Sequence, residues 1–491
     1  MSKPSHRFYS LRLAICLGNL VMVVLAAPAY AEHIERLPAP VARNLKSAGV
    51  PSAAVAVVVQ EAAAVLPRVS VNAGQPFNPA SLMKLLTTYA ALDILGPAYT
   101  WKTEALAADG PVNGVLETDL VLKGGGDPKL TFEQFWLLLR QLRARGVREI
   151  RGNLLLDRSL FDMTETGNEG LAPFDESPLR PYNVSPDALL LNFKSLHVNL
   201  IGDSAQGSLI VRVEPQPTNL DIDNRIKAAS VPGDCDNWKE GLQANVIQTG
   251  DRSRLSLGGS YPLNCGEKTW SLGVLPHPQY VLGVFSQLWL ELGGTFSGKL
   301  SDAAAPVNLQ LLASIESPTL GELVRDINKY SNNVMARQVF LTLGAEARSK
   351  PVRAADADAT IRRWLAQKQL NFPELVLENG SGLSRRERLS AESLARLLAS
   401  AWKSPLMPEY IASLPLVAVD GTMKKRLKQN AIAGRAHIKT GSLDGVKAIA
   451  GYVLDRSGKW QIVVFLVNHP NAAAAQAAQD ALLQWVHERG N

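Results

Sequence analysis

The stretch 79-PASLMKLLTTYAALDILG-96 decides how the rest of the chain is read. Pro79 and Ala80 open a helix at Ser81, an apolar set of Leu82, Leu85, Leu86, Tyr89 and Leu92 recurs at helical spacing, and Gly96 stands as the terminator. Such a stripe has to be buried. Ser81-Leu82-Met83-Lys84 lies at the start of this helix, where a spacing of three puts Ser81 and Lys84 on one face, one turn apart. A hydroxyl and an amine so placed suit a nucleophile and its base, because an electropositive helix N-terminus and apolar surroundings both disfavour an ammonium ion at Lys84. Alone the motif is a weak signal: a chain of this length holds Ser-x-x-Lys about once or twice by chance, and Ser400-Ala401-Trp402-Lys403 also fits.

Strand signals lie on both sides of that helix. Residues 53–59 and 68–72 are rich in Val and separated by a short connection, which predicts a hairpin. At the other end, 437–442, 448–454 and 460–467 are β-rich, the last two joined by the turn sequence Asp455-Arg456-Ser457-Gly458. Helical patterns occupy 320–330, 334–343, 355–369, 391–401 and 472–488. From about 105 to 305 short alternating runs such as 120–123, 152–157, 196–200 and 208–213, punctuated by Gly, Pro and Asp, read as mostly β. The economical solution is an α+β fold. One antiparallel sheet is assembled from both ends of the chain and covered by helices, so that 32–105 and 305–491 form a discontinuous domain. The β-rich block 106–304 is inserted into it, with two expected subdomains, about 106–129 with 225–304, and 130–224.

Two further motifs carry chemistry. Lys439-Thr440-Gly441 falls inside a strand pattern, where glycine permits close approach of an extended substrate while Lys439 and Thr440 offer a charge and a hydroxyl to a carboxylate. The alternative is an exposed edge guarded by lysine. Ser331-Asn332-Asn333 falls between two helices, where a hydroxyl and an amide can relay protons and hold a substrate amide, although such residues often only cap helices. The order discriminates: Ser81-x-x-Lys84, then Ser331-x-Asn333, then Lys439-Thr440-Gly441. Ser400 fails it, because no Ser-x-Asn separates it from Lys439.

In that order the three motifs resemble the penicillin-binding proteins and serine β-lactamases. The 249 residues between Ser81 and Ser331 are more than a compact β-lactamase needs and are similar to the long insertion of the peptidase S13 family of D-alanyl-D-alanine carboxypeptidases. Gly124-Gly125-Gly126-Asp127-Pro128, Pro181-Tyr182-Asn183, Asn379-Gly380-Ser381-Gly382-Leu383-Ser384-Arg385, Val419-Asp420-Gly421-Thr422 and Lys439-Thr440-Gly441-Ser442-Leu443 extend the resemblance over nearly the whole chain. Asn379 departs from it, standing where an acid is expected.

The resemblance implies a β-lactamase/DD-peptidase-like domain and a chemistry. Ser81 attacks the carbonyl between the terminal D-alanines of a peptidoglycan stem peptide and forms an acyl-enzyme, with Lys84 as general base. Ser331 and Lys439 pass the proton to the leaving amine, Asn333 holds the substrate amide, and Thr440 with Lys439 binds the terminal carboxylate. The N–H groups of Ser81 and Ser442, beside Gly441, form the oxyanion hole. Cutting of D-alanyl cross-links is implied as a second reaction, β-lactams as covalent inhibitors, and no cofactor. A serine β-lactamase or esterase shares the nucleophile, and a non-catalytic peptidoglycan-binding protein is the other reading.

Composition sets the compartment and removes other classes. The chain is 491 residues long with 46% hydrophobic and 20% charged residues, a globular balance. Of its net charge of +6, Lys3, Arg7 and Arg12 lie in the first 31 residues with no acid, so the remainder carries no nucleic-acid footprint. Residues 1–31 combine that basic stretch, an apolar run and Ala29-Tyr30-Ala31, which reads as a cleaved export signal to the periplasm. No later segment is apolar enough to span a bilayer, which leaves at most peripheral association. After cleavage Cys235 and Cys265 remain as an even pair in an oxidising compartment, and a disulfide is expected. No metal is expected, since the seven histidines form no His-x-x-Glu or His-x-x-x-His cluster.

Overall fold

Both ends of the chain build one five-stranded antiparallel sheet, in the order Ala436–Leu443, Val446–Leu454, Trp460–Asn468, Val55–Glu61, Val69–Val71. This is seen in a computed structural model, which describes residues 36–162, 164, 174–175, 177–250, 252–346 and 350–489. The expected export signal lies outside the described residues. Within them no helix is long and apolar enough to cross a membrane.

Helices α1 (Ala39–Ser47), α2 (Met83–Leu95), α3 (Phe132–Ala144) and α4 (His277–Glu291) come first along the chain. Helices α5 (Leu320–Tyr330), α6 (Asn333–Ala345), α7 (Ala354–Gln367), α8 (Ala391–Trp402), α9 (Met407–Ser413) and α10 (Gln476–Glu488) follow. The sheet is covered on both faces, which is why its inner strands read as continuous apolar runs. Ala56, Val58, Val464 and Leu466 pack with α2, α6 and α8, whereas Val55, Val57, Val59 and Phe465 pack with α1 and α10. Helix α2 sits in the middle of the first layer. The spacing predicts one apolar stripe on it, yet every residue from Met83 to Leu92 is buried. Helices and sheet enclose it on all sides, as expected of a helix in the core of a large domain.

The middle block is mostly β among the described residues, as its patterning predicts, with two helices that the reading did not anticipate. It contains α3 and α4, whose signals were present in the sequence: Thr131 caps α3 by accepting from the Gln134 N–H, and Phe135, Leu138, Leu139 and Leu142 form its buried face. A second five-stranded sheet runs Leu300–Asp302, Leu154–Asp157, Leu120–Gly124, Lys102–Ala107, Gln310–Glu316. Gln310–Glu316 pairs with Lys102–Ala107, so residues 310–316 join the sheet of the block and not that of the chain ends. The expected division of 106–304 is also crossed. Leu154–Asp157 pairs in parallel with both Leu120–Gly124 and Leu300–Asp302, and Glu267–Leu272 pairs with Leu196–Asp203. Parallel and long-range pairings depend on how the chain crosses over, which local patterning does not encode. Cys235 and Cys265 are joined, with an S–S distance of 2.07 Å.

The block is fastened to the site-bearing layer through α6. Gln338, fully buried, accepts from the Asp187 N–H at 2.9 Å and donates to the Asp187 carbonyl at 2.8 Å and the Gly126 carbonyl at 3.3 Å. Asp187 in turn takes an ion pair from Arg158, which also grips Asp302.

Candidate active site

Ser81 lies in a 3-10 turn, Ala80–Leu82, that leads directly into α2. The turn is tightened from before and behind. Asn78 accepts from the Ala80 N–H at 2.9 Å, and Ala80 itself has φ of 46°, a left-handed conformation costly for a residue with a side chain. Gly382, at φ of 83°, lies against it so closely that a Cβ there would stand 1.9 Å from the Ala80 carbonyl oxygen. Gly441 passes on the other side, where a Cβ would stand 2.8 Å from the Pro79 oxygen and 3.2 Å from the Ser81 nitrogen. Two glycines thus let a loop and the edge strand Ala436–Leu443 close on the hydroxyl-bearing turn.

Lys84, one turn on, is completely buried. Its Nζ lies 3.1 Å from Ser81 Oγ and 2.6 Å from Asn333 Oδ1, and it also meets the Ser381 carbonyl. Desolvation holds the amine well below the usual lysine range, with the nearby charges of Lys439 and Arg337 acting in the same direction and Glu387 against them. A neutral amine has two N–H donors and one lone pair. Here it faces two carbonyl-type acceptors and one hydroxyl.

The second half of the site is set by the junction of α5 and α6. Ser331 caps α5 in the left-handed conformation, φ 57° and ψ 39°, and Asn332 caps α6 by accepting from the Met335 N–H at 3.0 Å. The cap role expected of Asn residues here therefore belongs to Asn332, which leaves Asn333 to reach Lys84. Lys439 Nζ lies 2.8 Å from Ser331 Oγ and 2.8 Å from the Thr440 carbonyl, and burial lowers this lysine to about 7. Thr440 Oγ1 lies 2.8 Å from Thr422 Oγ1. Lys329 of α5 pairs with Asp420 at 2.6 Å, which ties the Asp420-Gly421-Thr422 segment to the same junction. The exposed Ser442 follows on the strand, paired with Lys447 of its neighbour.

The fold thus gathers the sequence-predicted residues into two linked clusters, Ser81 with Lys84 and Asn333, and Ser331 with Lys439 and Thr440. Several members went unassigned in the sequence. Gly382 and the Ser381 carbonyl act through backbone, Thr422 lay in a quoted segment without a role, and Glu387 carried no motif signal. The competing Ser400 lies elsewhere, with its Oγ 3.3 Å from the Tyr89 hydroxyl, in the wall of a cavity of about 830 Å³ that contains none of these residues. Among the described residues no group of three or more His, Cys, Asp or Glu is arranged to hold a metal.

The chain as a whole is similar to known proteins. The D-Ala-D-Ala carboxypeptidase 3 (S13) family matches residues 37–489. A D-alanyl-D-alanine carboxypeptidase of Actinomadura sp. (strain R39) is 29% identical over 84% of this chain and 77% of its own length. The D-alanyl-D-alanine carboxypeptidase DacB of Haemophilus influenzae is 26% identical over 79% of this chain and 80% of its own. The crystal structure of penicillin binding protein 4 from H. influenzae superposes with a TM-score of 0.74 at 22% identity, covering 90% of this chain and 99% of that one, a likeness of fold. With a match that runs from α1 to the last turn of the C-terminal helix, the chain is a serine peptidase that belongs to the D-Ala-D-Ala carboxypeptidase 3 (S13) family.

Proposed function

We propose that the chain removes the terminal D-alanine from peptidoglycan stem peptides as a serine D-alanyl-D-alanine carboxypeptidase, and that it also cuts D-alanyl cross-links as a DD-endopeptidase. The observation that carries this reading is the buried amine of Lys84, whose two donors are taken by Asn333 and Ser381 while its lone pair is left for the Ser81 hydroxyl. In this mechanism Ser81 Oγ bonds to the carbonyl carbon as its proton passes to Lys84 Nζ. The developing oxyanion is met by the N–H groups of Ser81 and Ser442. When the C–N bond breaks, the leaving amine collects a proton through Ser331 and Lys439, and water then hydrolyses the acyl-enzyme to regenerate Ser81. Asn333 holds the substrate amide, and Thr440 with Lys439 takes the terminal carboxylate. The sequence of steps is complete without a cofactor.

β-Lactams are read as covalent inhibitors at Ser81, and residues 1–31 as the signal that delivers the enzyme to the periplasm. The catalytic unit is the part built from both ends of the chain, with its breaks moved to about 101 and 317 by the pairing of Lys102–Ala107 with Gln310–Glu316. The names of the Actinomadura and H. influenzae relatives support the substrate class. The test is incubation of the mature protein with purified muropeptides, read by product mass. Loss of one alanine or splitting of cross-linked dimers is expected. Unchanged muropeptides from a protein that still labels with penicillin would overturn the peptidase assignment.

A further inference from the structure

The turn that supplies the third partner of Lys84 is held from behind by a carboxyl group. Glu387 is fully buried, and its Oε1 accepts from three successive backbone N–H groups, those of Glu378 at 3.1 Å, Asn379 at 3.0 Å and Gly380 at 3.2 Å. The carbonyl side of the same turn faces α2. There Thr87 Oγ1 donates to the Gly380 carbonyl at 2.7 Å and Lys84 donates to the Ser381 carbonyl. One short turn thus has an acid on its N–H side and the proposed general base on its C=O side.

Neither of the nearer candidates supplies that acid. Asn379, the one departure from the pattern, accepts from the Ser381 N–H at 2.9 Å and hydroxyl at 2.7 Å, and donates through Nδ2 to the Leu383 carbonyl at 3.0 Å, a bond an aspartate cannot make. Glu378 is turned away, toward the Ser384 hydroxyl and Arg386.

We infer that Glu387 is a positioning residue for acylation: its buried carboxylate fixes the 378–381 turn so that the Ser381 carbonyl meets Lys84 Nζ, and its charge counterbalances the cations around that amine. This rests on the reading of Lys84 as the base. The groups that act on Lys84 come from three sides, Lys439 on the edge strand, Arg337 on α6 and Glu387 behind the turn, and only Glu387 favours the protonated form. Burial and the neighbouring Glu378 push the Glu387 carboxyl up, and the three converging N–H groups pull it back toward the carboxylate. Its Oε2 has no hydrogen-bond partner among the described residues, so the single oxygen Oε1 carries the hold on the turn.

Removing the charge should therefore lower Lys84 further. The variant Glu387→Gln keeps an acceptor oxygen in place, and the pH dependence of its acylation by a fluorescent penicillin is the readout. The acid limb, where protonation of Lys84 stops the reaction, should move down by about one pH unit, a tenfold change in that equilibrium. Adding Asn379→Asp to this variant should return the limb toward the parental pH. Should Glu387→Gln fail to fold, Glu387→Asp keeps the charge and withdraws the oxygen, so the limb should stay while the maximal rate falls about tenfold. An unmoved limb in Glu387→Gln, or an unchanged maximal rate in Glu387→Asp, would overturn the role of Glu387 while leaving the base in place. Wild-type protein that does not acylate at Ser81 would sink the underlying reading instead.

Discussion

Ser81 and Lys84 stand where a 3-10 turn becomes α2, whereas Ser400 and Lys403 stand at the opposite end of a helix, in the last turn of α8 and at its C-cap. The polarity of the helix end makes the two lysines different groups. Near an N-terminus the unpaired N–H dipoles disfavour an ammonium ion, while at a C-terminus the unpaired carbonyls favour one. Burial adds to the contrast, since Lys84 is wholly enclosed and Lys403 is exposed. Ser81 faces the amine of its own motif, but Ser400 is turned to the Tyr89 hydroxyl. The same Ser-x-x-Lys pattern therefore yields a hydroxyl facing a desolvated amine in one place and a solvated helix end in the other, and the deciding variable is what removes water from the lysine.

The largest expected difference between the two segments is in covalent capture. Labelling by a fluorescent penicillin, followed on gels and by peptide mass, should vanish in Ser81→Ala and remain within about twofold of the parental rate in Ser400→Ala. A label that maps to Ser400 would erase the distinction. Next in size is the paired exchange of each lysine for arginine, which keeps the charge but cannot lose its proton near neutral pH. Acylation should fall about a thousandfold in Lys84→Arg, the span of general-base catalysis, with no change in Lys403→Arg. Parental acylation by folded Lys84→Arg would mean that this lysine only positions Ser81.

A thermodynamic version of the comparison concerns Lys439, lowered to about 7 by burial. The unfolded chain holds the proton up to the ordinary lysine range, near 10.4, so between those values it binds more protons than the folded protein. Stability should accordingly rise with pH across that window, while below 7 both states are protonated and the penalty is present in full. Thermal melts of the wild type should show this slope between pH 7 and 10, Lys439→Met should reduce it and leave the share that the equally desolvated Lys84 contributes in the same direction, and Lys403→Met should leave it unchanged. A slope undiminished in Lys439→Met would assign the protons to another group.

The smallest effect at either serine should come from the disulfide. Reducing Cys235–Cys265 opens a loop with a sequence separation of 30, which costs stability about 4 kcal/mol by loop entropy. Acylation at temperatures where the protein stays folded should not change, because the pair lies in the inserted block. A loss of Ser81 labelling on reduction would reveal a link between block and site that bypasses Gln338.

Much of this molecule was legible before it was folded. The terminal sheet followed from Val-rich runs and a turn, and the helix that carries Ser81 followed from its spacing and Gly96. The choice between Ser81 and Ser400 came from the order of three motifs along the chain. These are local or one-dimensional signals, and a sequence reports them directly. The block resisted for the opposite reason: Leu154–Asp157 finds its neighbours some thirty residues before and about 145 residues after itself, and such parallel pairings are chosen by crossover geometry. Helix α3 was missed although its cap and apolar face were present, since a short helix among strands is easily read as one of them.

The candidate groups themselves could be read from one dimension, because Ser, Lys, Asn and Thr are chemical types at countable positions. Their states came from folding. It brought Asn333 and the Ser381 carbonyl to Lys84 from positions 249 and 297 residues away, set Glu387 behind the turn, and stripped water from both lysines. The physical reason is that a proton's affinity for an amine depends on desolvation and on charges a few ångströms distant, and those distances exist only once the chain is folded.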